Sequence, residues 1–351
     1  MVRHRLLAAC ALLMLAAGCS SSNPDSAREA ASPSPTTTSL PPPALASAKG
    51  WLAYQIKAGA QDRIWLTHPD GSDDYQAFPN LPGRTLHPDF SHDGKLAFDH
   101  QMSNLYGTDN VYVANANGSG AHLVAACKPP KCIQRWYPAW SPDGKQLAVA
   151  TAGGLPTGDN PPPRMGIAII NLAKGTVRPL LDHSSKTGQD MMPRWSPDGH
   201  QLVFYRWRGR AEGPAAQAAV FVVNVDGSGL HQLTPWKLRC GDPDWSPDGS
   251  RIVCATRPPT DYVEAGPSEL YLLKPDGSGL RALTRNGPNG PRATHPRFTP
   301  DGTAILHVRT GGQDWNLPPK HLYLLDLATG NDLPYLTSKD ISTRPTLQPT
   351  P

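Results

Sequence analysis

The sequence predicts an all-β domain, a six-bladed β-propeller whose ring is closed by a C-terminal strand that completes blade one. Three observations support this fold class. A Trp-Ser-Pro-Asp-Gly phrase recurs about every fifty residues, an apolar strand with an Asp-Gly-Ser-Gly turn alternates with it, and the two ends of the chain each carry part of one repeat. Four-stranded units repeated at this spacing are typical of propellers, in which each sheet packs against its neighbours.

The first phrase is a hairpin signal. Its proline sets φ at the second turn position, its aspartate hydrogen-bonds nearby backbone, and its glycine accepts the positive φ of a bulged hairpin. Apolar segments such as Gln201-Leu-Val-Phe204 follow the turn, which predicts buried strands. We expect the aromatic residues of the phrase to pack between blades; they are Phe90, Trp140, Trp195, Trp245 and Phe298.

The ends of the repeat predict how the ring closes. The first phrase is intact five times, whereas the second occurs six times. The segment Ser342–Pro349 aligns with Ala293–Pro300, so Leu347 stands where the next aromatic is expected. The strand that begins at Trp51 corresponds to the second strand of a unit. The tail is therefore expected to supply the first strand of blade one.

The N-terminus predicts export and a lipid anchor. Residues 1–18 combine Arg3 and Arg5 with an apolar run from Leu6, as in a signal peptide. Ala-Ala-Gly immediately before Cys19 resembles a bacterial lipobox, so Cys19 is the expected lipidation site and the tether to a membrane. Residues 19–49 are rich in Ser, Thr and Pro, which predicts a disordered stalk, and residues 50–351 form the propeller. The expected location is extracytoplasmic, on the cell surface or in the periplasm.

Four cysteines follow the stalk, an even number that favours disulfides in an exported protein. Cys240 and Cys254 flank one Ser-Pro-Asp-Gly hairpin almost symmetrically, so we expect them to bond across two strands. Cys127 and Cys132 enclose a short loop and are expected to pair with each other; a zinc site there is the less favoured alternative. The formal net charge of +4 is too small to predict a nucleic-acid partner.

The connections of varied length share one face of the predicted disc, here called the loop face, and the short Ser-Pro-Asp-Gly turns share the opposite one, the turn face. Binding residues concentrate on such loops, and Trp, Tyr and Arg dominate interface energetics. Candidates for a partner site on the loop face are Tyr106, Trp207, Arg208, Trp236, Tyr262 and Trp315.

The residues just before the proline of each repeat are expected to line the axial channel. They are His87, Tyr137, Met192, Asp242, His295 and Arg344. This set has the chemistry to bind an anion, a metal or a peptide terminus, or simply to line a solvated channel. No catalytic residue, metal or cofactor is assigned from the sequence.

The Pro-x-Trp-Ser-Pro-Asp-Gly-Lys phrase at 138–145 and the Leu-Tyr…Asp-Gly-Ser-Gly…Leu-Thr phrase at 270–284 resemble the propeller repeats of the TolB family. The resemblance covers about residues 50–350. It implies a six-bladed propeller and a place in the cell envelope, where TolB binds a peptidoglycan-associated lipoprotein. The N-terminal α/β domain of TolB has no counterpart here, and the lipidated stalk takes its place.

Two functions follow as hypotheses. The first is a non-catalytic envelope lipoprotein whose loop face binds a protein or a cell-wall component. The second is a small-ligand or glycan-active propeller that uses the axial residues. The sequence carries no Gly-x-Ser-x-Gly elbow, which argues against the serine hydrolases that possess related propellers.

Overall fold

The computed structural model describes residues 50–58, 61–102, 109–128, 132–153, 164–181, 188–208, 217–256, 268–287, 290–310, 320–337 and 341–349. All of them belong to one unit of the chain, Ser39–Pro351. Cys19 and the predicted loop-face residues Tyr106, Tyr262 and Trp315 lie outside the described residues.

The described residues form antiparallel strands arranged as a β-propeller. The first sheet has the order β24-β1-β2-β3, with β1 at Leu52–Ala58, β2 at Gln61–Thr67, β3 at Tyr75–Gln76 and β24 at Ile341–Leu347. The next eight strands are β4 (Arg84–Phe90), β5 (Lys95–Gln101), β6 (Asp109–Asn115), β7 (His122–Ala125), β8 (Gln134–Trp140), β9 (Gln146–Gly153), β10 (Arg164–Asn171) and β11 (Thr176–Leu181).

Three further four-stranded sheets follow in chain order. They contain β12 (Gln189–Trp195), β13 (Gln201–Arg208), β14 (Gln217–Asn224) and β15 (His231–Gln232); β16 (Cys240–Trp245), β17 (Ile252–Thr256), β18 (Leu270–Leu273) and β19 (Arg281–Ala282); and β20 (Ala293–Phe298), β21 (Ala304–Thr310), β22 (Lys320–Asp326) and β23 (Asp332–Leu336).

Strands β4 to β11 are joined into one eight-stranded sheet. The link between β4–β7 and β8–β11 is a single parallel bridge in which Asp109 of β6 pairs with Gln134 of β8. Each half keeps the up-and-down meander of the other sheets, because its remaining pairs are antiparallel between consecutive strands.

The C-terminal strand closes the ring, as the sequence predicts. Strand β24 pairs antiparallel with β1, matching Leu52 with Leu347 and Ile56 with Ile341. The backbone N–H of Gln348 donates to the carbonyl of Trp51 at 2.8 Å, which extends the pairing past the strand end. The two chain segments at the ends of the domain therefore share one sheet.

The Ser-Pro-Asp-Gly phrase forms the predicted hairpin turn. At Ser141, the hydroxyl donates to Asp143 Oδ1 at 2.7 Å and accepts the backbone N–H of Gln146 at 2.9 Å. Gly144 has a φ of 68°, the left-handed conformation that glycine adopts without a Cβ clash. The turn is thus held by hydrogen bonds among its own residues.

Buried side chains between neighbouring meanders form the core. Six clusters of this kind occur among the described residues, and each combines strands from two meanders that are adjacent in the ring. The phrase aromatics lie at these contacts as predicted; Trp140 is 8% exposed, and its indole N–H donates to the carbonyl of Asp89 in the preceding meander at 3.1 Å. Trp195 makes the same kind of bond, to the carbonyl of Ala139 at 3.1 Å, so two of these indoles join their meander to the preceding one.

Both predicted disulfides are present. Cys240 of β16 bonds Cys254 of β17 with a Cα separation of 5.8 Å, and Cys127 bonds Cys132 with a Cα separation of 5.1 Å. Both cysteines of the first pair are fully buried in a core cluster. Within the described part of the chain, no helix is long and apolar enough to cross a bilayer.

Candidate binding sites along the axis of the ring

A repeated backbone irregularity aims side chains at the axis. In all six inner strands the residue before the proline has a φ between 50° and 55°, the left-handed region that non-glycine residues rarely occupy; these residues are His87, Tyr137, Met192, Asp242, His295 and Arg344. The strand register shifts at these points, for example between Leu86 and Asp89. Because proline has no N–H to donate, the bulge loses no ladder hydrogen bond there.

Four of these six residues meet in a narrow cavity, here called the throat. His87, Tyr137, Met192 and Arg344 line it together with Arg194 and Arg297. The Arg344 guanidinium lies 4.2 Å from the ring centre of Tyr137, and its Nη2 is 3.3 Å from the Met192 sulfur. The rings of His87 and Tyr137 are 4.3 Å apart. These four of the six sequence-predicted axial residues are therefore in contact around the throat.

His87 is held by a buried carboxylate. Its Nδ1 lies 2.7 Å from Oδ1 of the fully buried Asp99, and its backbone N–H donates to Gln55 Oε1 at 2.8 Å. Burial lowers the pKa of His87 well below its usual range, and the positive charge of Arg344 acts in the same direction. Burial also raises the pKa of Asp99 well above its usual range, although the backbone N–H of Tyr137 opposes this shift. His87 is therefore neutral at physiological pH.

The other two axial residues form a separate pair. His295 Nε2 lies 3.8 Å from Asp242 Oδ2, and His295 Nδ1 is 3.2 Å from the hydroxyl of Thr294. Neither residue is among the described side chains that line the throat. No group of three or more His, Cys, Asp or Glu side chains with metal-binding geometry occurs in the described residues.

A second layer of axial residues, which the sequence reasoning missed, lies two positions further along the inner strands. The residue between the proline and the aromatic is charged in four repeats: Asp89, Arg194, Asp244 and Arg297. Arg194 forms an ion pair with Asp89, and its Nε lies 4.0 Å from Asp244 Oδ1. These residues line a cavity of about 400 Å³ on the turn face, whose wall includes the prolines of the turns.

The aspartates of this layer also join neighbouring meanders. Asp89 Oδ2 accepts the backbone N–H of Trp140 at 2.8 Å, and Asp244 Oδ2 accepts the backbone N–H of Phe298 at 2.9 Å. A signal for these residues exists in the sequence, because the position is occupied in turn by Asp, Ala, Arg, Asp, Arg and Thr. Four residues of mixed charge at one axial level are candidates for mutual ion pairs.

A third cavity, here called the mouth, has a volume of about 380 Å³ and opens on the loop face. Its wall carries the half-buried ring of Trp136, the amides of Gln101 and Gln134, and an ion pair between Arg84 and Asp62. The mouth shares His87 and Tyr137 with the throat; Gln55 and Leu86 complete its described lining.

Polar groups in the mouth are fixed by neighbours. Arg84 Nη1 donates to Gln101 Oε1 at 2.8 Å. Trp136 Nε1 and Gln134 Nε2 both donate to Oδ2 of the buried Asp109, at 2.6 and 2.7 Å. Residues held in this way present a preformed surface, which reduces the entropy lost when a partner binds.

The predicted loop-face residues that the structure describes separate into two groups. Trp207 lies in β13, is 9% exposed and packs in a core cluster with Cys240 and Cys254, so its ring stabilises the domain instead of facing a partner. Arg208 is exposed and stacks 3.8 Å over the ring of Trp236, which begins a short 3₁₀ turn. The exposed Arg208 on the half-buried Trp236 remains a candidate contact surface, although neither residue lines the mouth.

No known protein family and no curated protein matches the chain by sequence. Solved structures do match its fold. TolB from Acinetobacter baumannii is 15% identical with a TM-score of 0.64, and the match covers 88% of this chain and 68% of that one. The fold is that of a TolB-like β-propeller.

Two further solved structures share this arrangement. Hydrazine synthase from Kuenenia stuttgartiensis is 14% identical with a TM-score of 0.62, over 89% of this chain and 48% of that one. An oligogalacturonate lyase from Vibrio parahaemolyticus is 12% identical with a TM-score of 0.53, over 86% and 80%. At such identities the likeness concerns the fold alone, and proteins of quite different activity share it.

Proposed function

We propose that this protein is an exported, lipid-anchored binding protein whose mouth on the loop face holds a protein or cell-wall partner without catalysing a reaction. Export and anchoring rest on residues 1–18 and Cys19. They are supported by the two disulfides, which form and persist in oxidising compartments. The anchor and stalk would hold the propeller near the outer side of a membrane.

The proposed ring has six blades. Six inner strands carry the same left-handed residue before proline, and the six buried clusters connect successive meanders in a closed cycle. The eight-stranded sheet counts as two blades in this view, since among the described residues its halves pair only at the Asp109–Gln134 bridge.

The observation that carries the binding proposal is the mouth itself. A concave site with an aromatic ring and several oriented amide and guanidinium groups is typical of recognition sites. The amides of Gln101 and Gln134 offer both donors and acceptors, and Trp136 offers an apolar face. Asp62 is already paired with Arg84, which favours recognition over proton transfer by this carboxylate.

Photo-crosslinking in living cells tests this proposal. A photoreactive residue at Gln101 places the probe in the mouth, and the same residue at the exposed Lys145 probes the turn face as a matched control. We expect one recurrent adduct from position 101 that is absent from position 145. Equal adduct patterns at the two positions would refute a partner at the mouth.

The hydrogen bond between His87 and Asp99 favours a second candidate, a glycan-active site. A neutral imidazole has one nitrogen lone pair that can accept a proton, although burial makes His87 a weaker base than usual, and His87 lines the mouth. Incubation with soluble peptidoglycan fragments, followed by mass spectrometry, tests this activity. Cleavage that is lost in His87→Gln and kept in Lys145→Gln would establish it, whereas intact fragments after incubation with the wild-type protein would exclude it for this substrate class.

A further inference from the structure

The throat concentrates positive charge in a confined space. Arg194, Arg297 and Arg344 all line it, and none of its described lining residues is a carboxylate. Arg344 comes from the closing strand β24, Arg194 from β12 and Arg297 from β20. Three guanidinium groups from different parts of the ring therefore converge on one small cavity, which has a volume of about 10 Å³.

Two of the three guanidinium groups have unused donors. The Nε atoms of Arg297 and Arg344 are buried and have no hydrogen-bond partner, and the two residues are only 8% and 7% exposed. Arg344 otherwise contacts the face of Tyr137 and the sulfur of Met192, which is a weak acceptor. Buried donors of charged groups are normally hydrogen-bonded, so these atoms indicate a missing acceptor.

Asp244 and Asp89 favour the charged form of Arg297, so they offset part of this charge. Asp89 and Asp244 lie beside Arg194. Among the described residues, by contrast, no carboxylate oxygen lies within 4 Å of a nitrogen of Arg297 or Arg344. Burial, together with the charge of Arg194, lowers the pKa of Arg297 to about 10, so this group still carries its proton at neutral pH.

Asp99 lies behind His87, and its burial raises its pKa, which limits the negative charge it contributes. The throat therefore keeps an excess of positive charge among the groups that the structure describes.

We propose that the throat is a binding site for a small carboxylate, held by the guanidinium groups of Arg297 and Arg344. A cavity of this volume admits about one water-sized group, which is the size of one carboxylate oxygen, so the rest of the ligand must lie outside the throat. The planar guanidinium fork matches the two oxygens of a carboxylate, and such charge-assisted hydrogen bonds are among the strongest in proteins.

Two of the throat arginines also face the turn-face cavity. Arg194 and Arg297 line both the throat and the turn-face cavity of about 400 Å³, so the two spaces share a wall. That larger cavity is bordered by aromatic residues such as Trp195 and Trp245. It can hold the body of a carboxylate ligand while one carboxylate oxygen occupies the throat. The mouth also borders the throat through His87 and Tyr137, but none of the three throat arginines lines the mouth.

Thermal unfolding of the full-length protein in detergent tests the proposal with sodium formate as the probe. Ionic strength is kept constant with sodium isethionate, whose sulfonate is larger than formate, and sodium chloride serves as a third salt. A ligand that binds only the folded state raises the melting temperature with its concentration. We expect a saturable rise in formate that exceeds the change in either other salt at equal concentration.

Substitutions test whether the formate-dependent rise in melting temperature comes from binding in the throat. Arg344→Gln is expected to abolish the formate response. Arg251→Gln is the matched control, because Arg251 also stacks on an aromatic ring, that of Phe298, but does not line the throat; its response is expected to persist. If Arg344→Gln does not unfold cooperatively, Arg344→Lys replaces it, and the loss of the fork is expected to reduce the formate response at least fivefold in apparent affinity.

The proposal is overturned if the wild-type protein responds equally to formate and isethionate, or if the Arg344 variants respond like the wild type. An equal response to chloride would overturn the assignment to carboxylates.

Discussion

Removal of strand β24 is expected to unfold the whole domain instead of fraying one end. A chain ending at residue 340 loses Ile341, which is fully buried, and Leu347, which is 9% exposed. Full burial of such a side chain stabilises a protein by about 1.5–3 kcal/mol, so these two contribute roughly 3–6 kcal/mol. Typical domains unfold at a cost of only about 5–15 kcal/mol, so this loss is a large fraction of the total.

The loss extends beyond two side chains. Ile341 and Leu347 belong to a cluster that also contains Leu52, Tyr54 and Leu306, so the contact between the first and last sheets opens as well. The exposed edge of β1 would then present unpaired backbone groups to solvent. Both effects act on the pairing of β1 with β24, where strands from opposite ends of the chain close the ring without a covalent link.

Urea denaturation monitored by tryptophan fluorescence measures this effect. The point variant Ile341→Ala is expected to cost about 2–5 kcal/mol, the range for truncating a buried isoleucine. Leu333→Ala in β23 is the control, because Leu333 is 47% exposed and should change stability by less than about 0.5 kcal/mol. A truncated chain that keeps the wild-type midpoint would refute closure by β24.

Three further predictions concern single contacts. Replacing Cys240 and Cys254 by alanine is expected to cost about 3 kcal/mol in urea denaturation, more than the same change at the other disulfide, because its loop of 14 residues is longer. Asp190→Ala is expected to cost about 3–5 kcal/mol, since it leaves the buried Arg206 without the carboxylate that binds it through two hydrogen bonds; an added Arg206→Met should recover part of the loss. Hydrogen bonds from Ser246 and Ser250 lower the pKa of Asp248 to about 2, so its stabilisation is present above the ordinary value of 3.8 and is lost as the pH falls toward 2. In Asp248→Asn, the free energy of unfolding, measured by urea denaturation at each pH, should therefore fall less steeply between pH 4 and pH 2 than in the wild type. The same fall in both proteins would contradict this.

Most of the fold was predictable because the repeat encodes it locally. Ser141, Asp143 and Gly144 complete a turn among themselves, so the hairpin follows from the phrase alone. Closure by β24 follows from the period, since Leu347 stands one repeat after Phe298. The pairing of Cys240 with Cys254 follows from their places on either side of one hairpin.

The site was less predictable because it is assembled across the ring. Arg194, Arg297 and Arg344 come from three strands that are far apart in the chain, and no local pattern relates them. The left-handed φ of residues such as His87 also contradicts the usual preference of a residue before proline for an extended backbone. Trp207 looked like a contact residue by type, but its place at the end of β13 buries it between two sheets.

The fold and the axial chemistry thus depend on different positions of one repeat. Serine and aspartate of the turn bond to each other and to nearby backbone, so changes there act on stability. The residue before the proline and the one after it point to the axis, and their side chains differ from repeat to repeat while the backbone stays the same. Substitutions such as Arg344→Gln can therefore alter what the axis binds while the turns that build the ring keep their hydrogen bonds. A substitution at an axial position is therefore expected to weaken binding while unfolding stays cooperative, whereas a substitution in a turn is expected to lower stability.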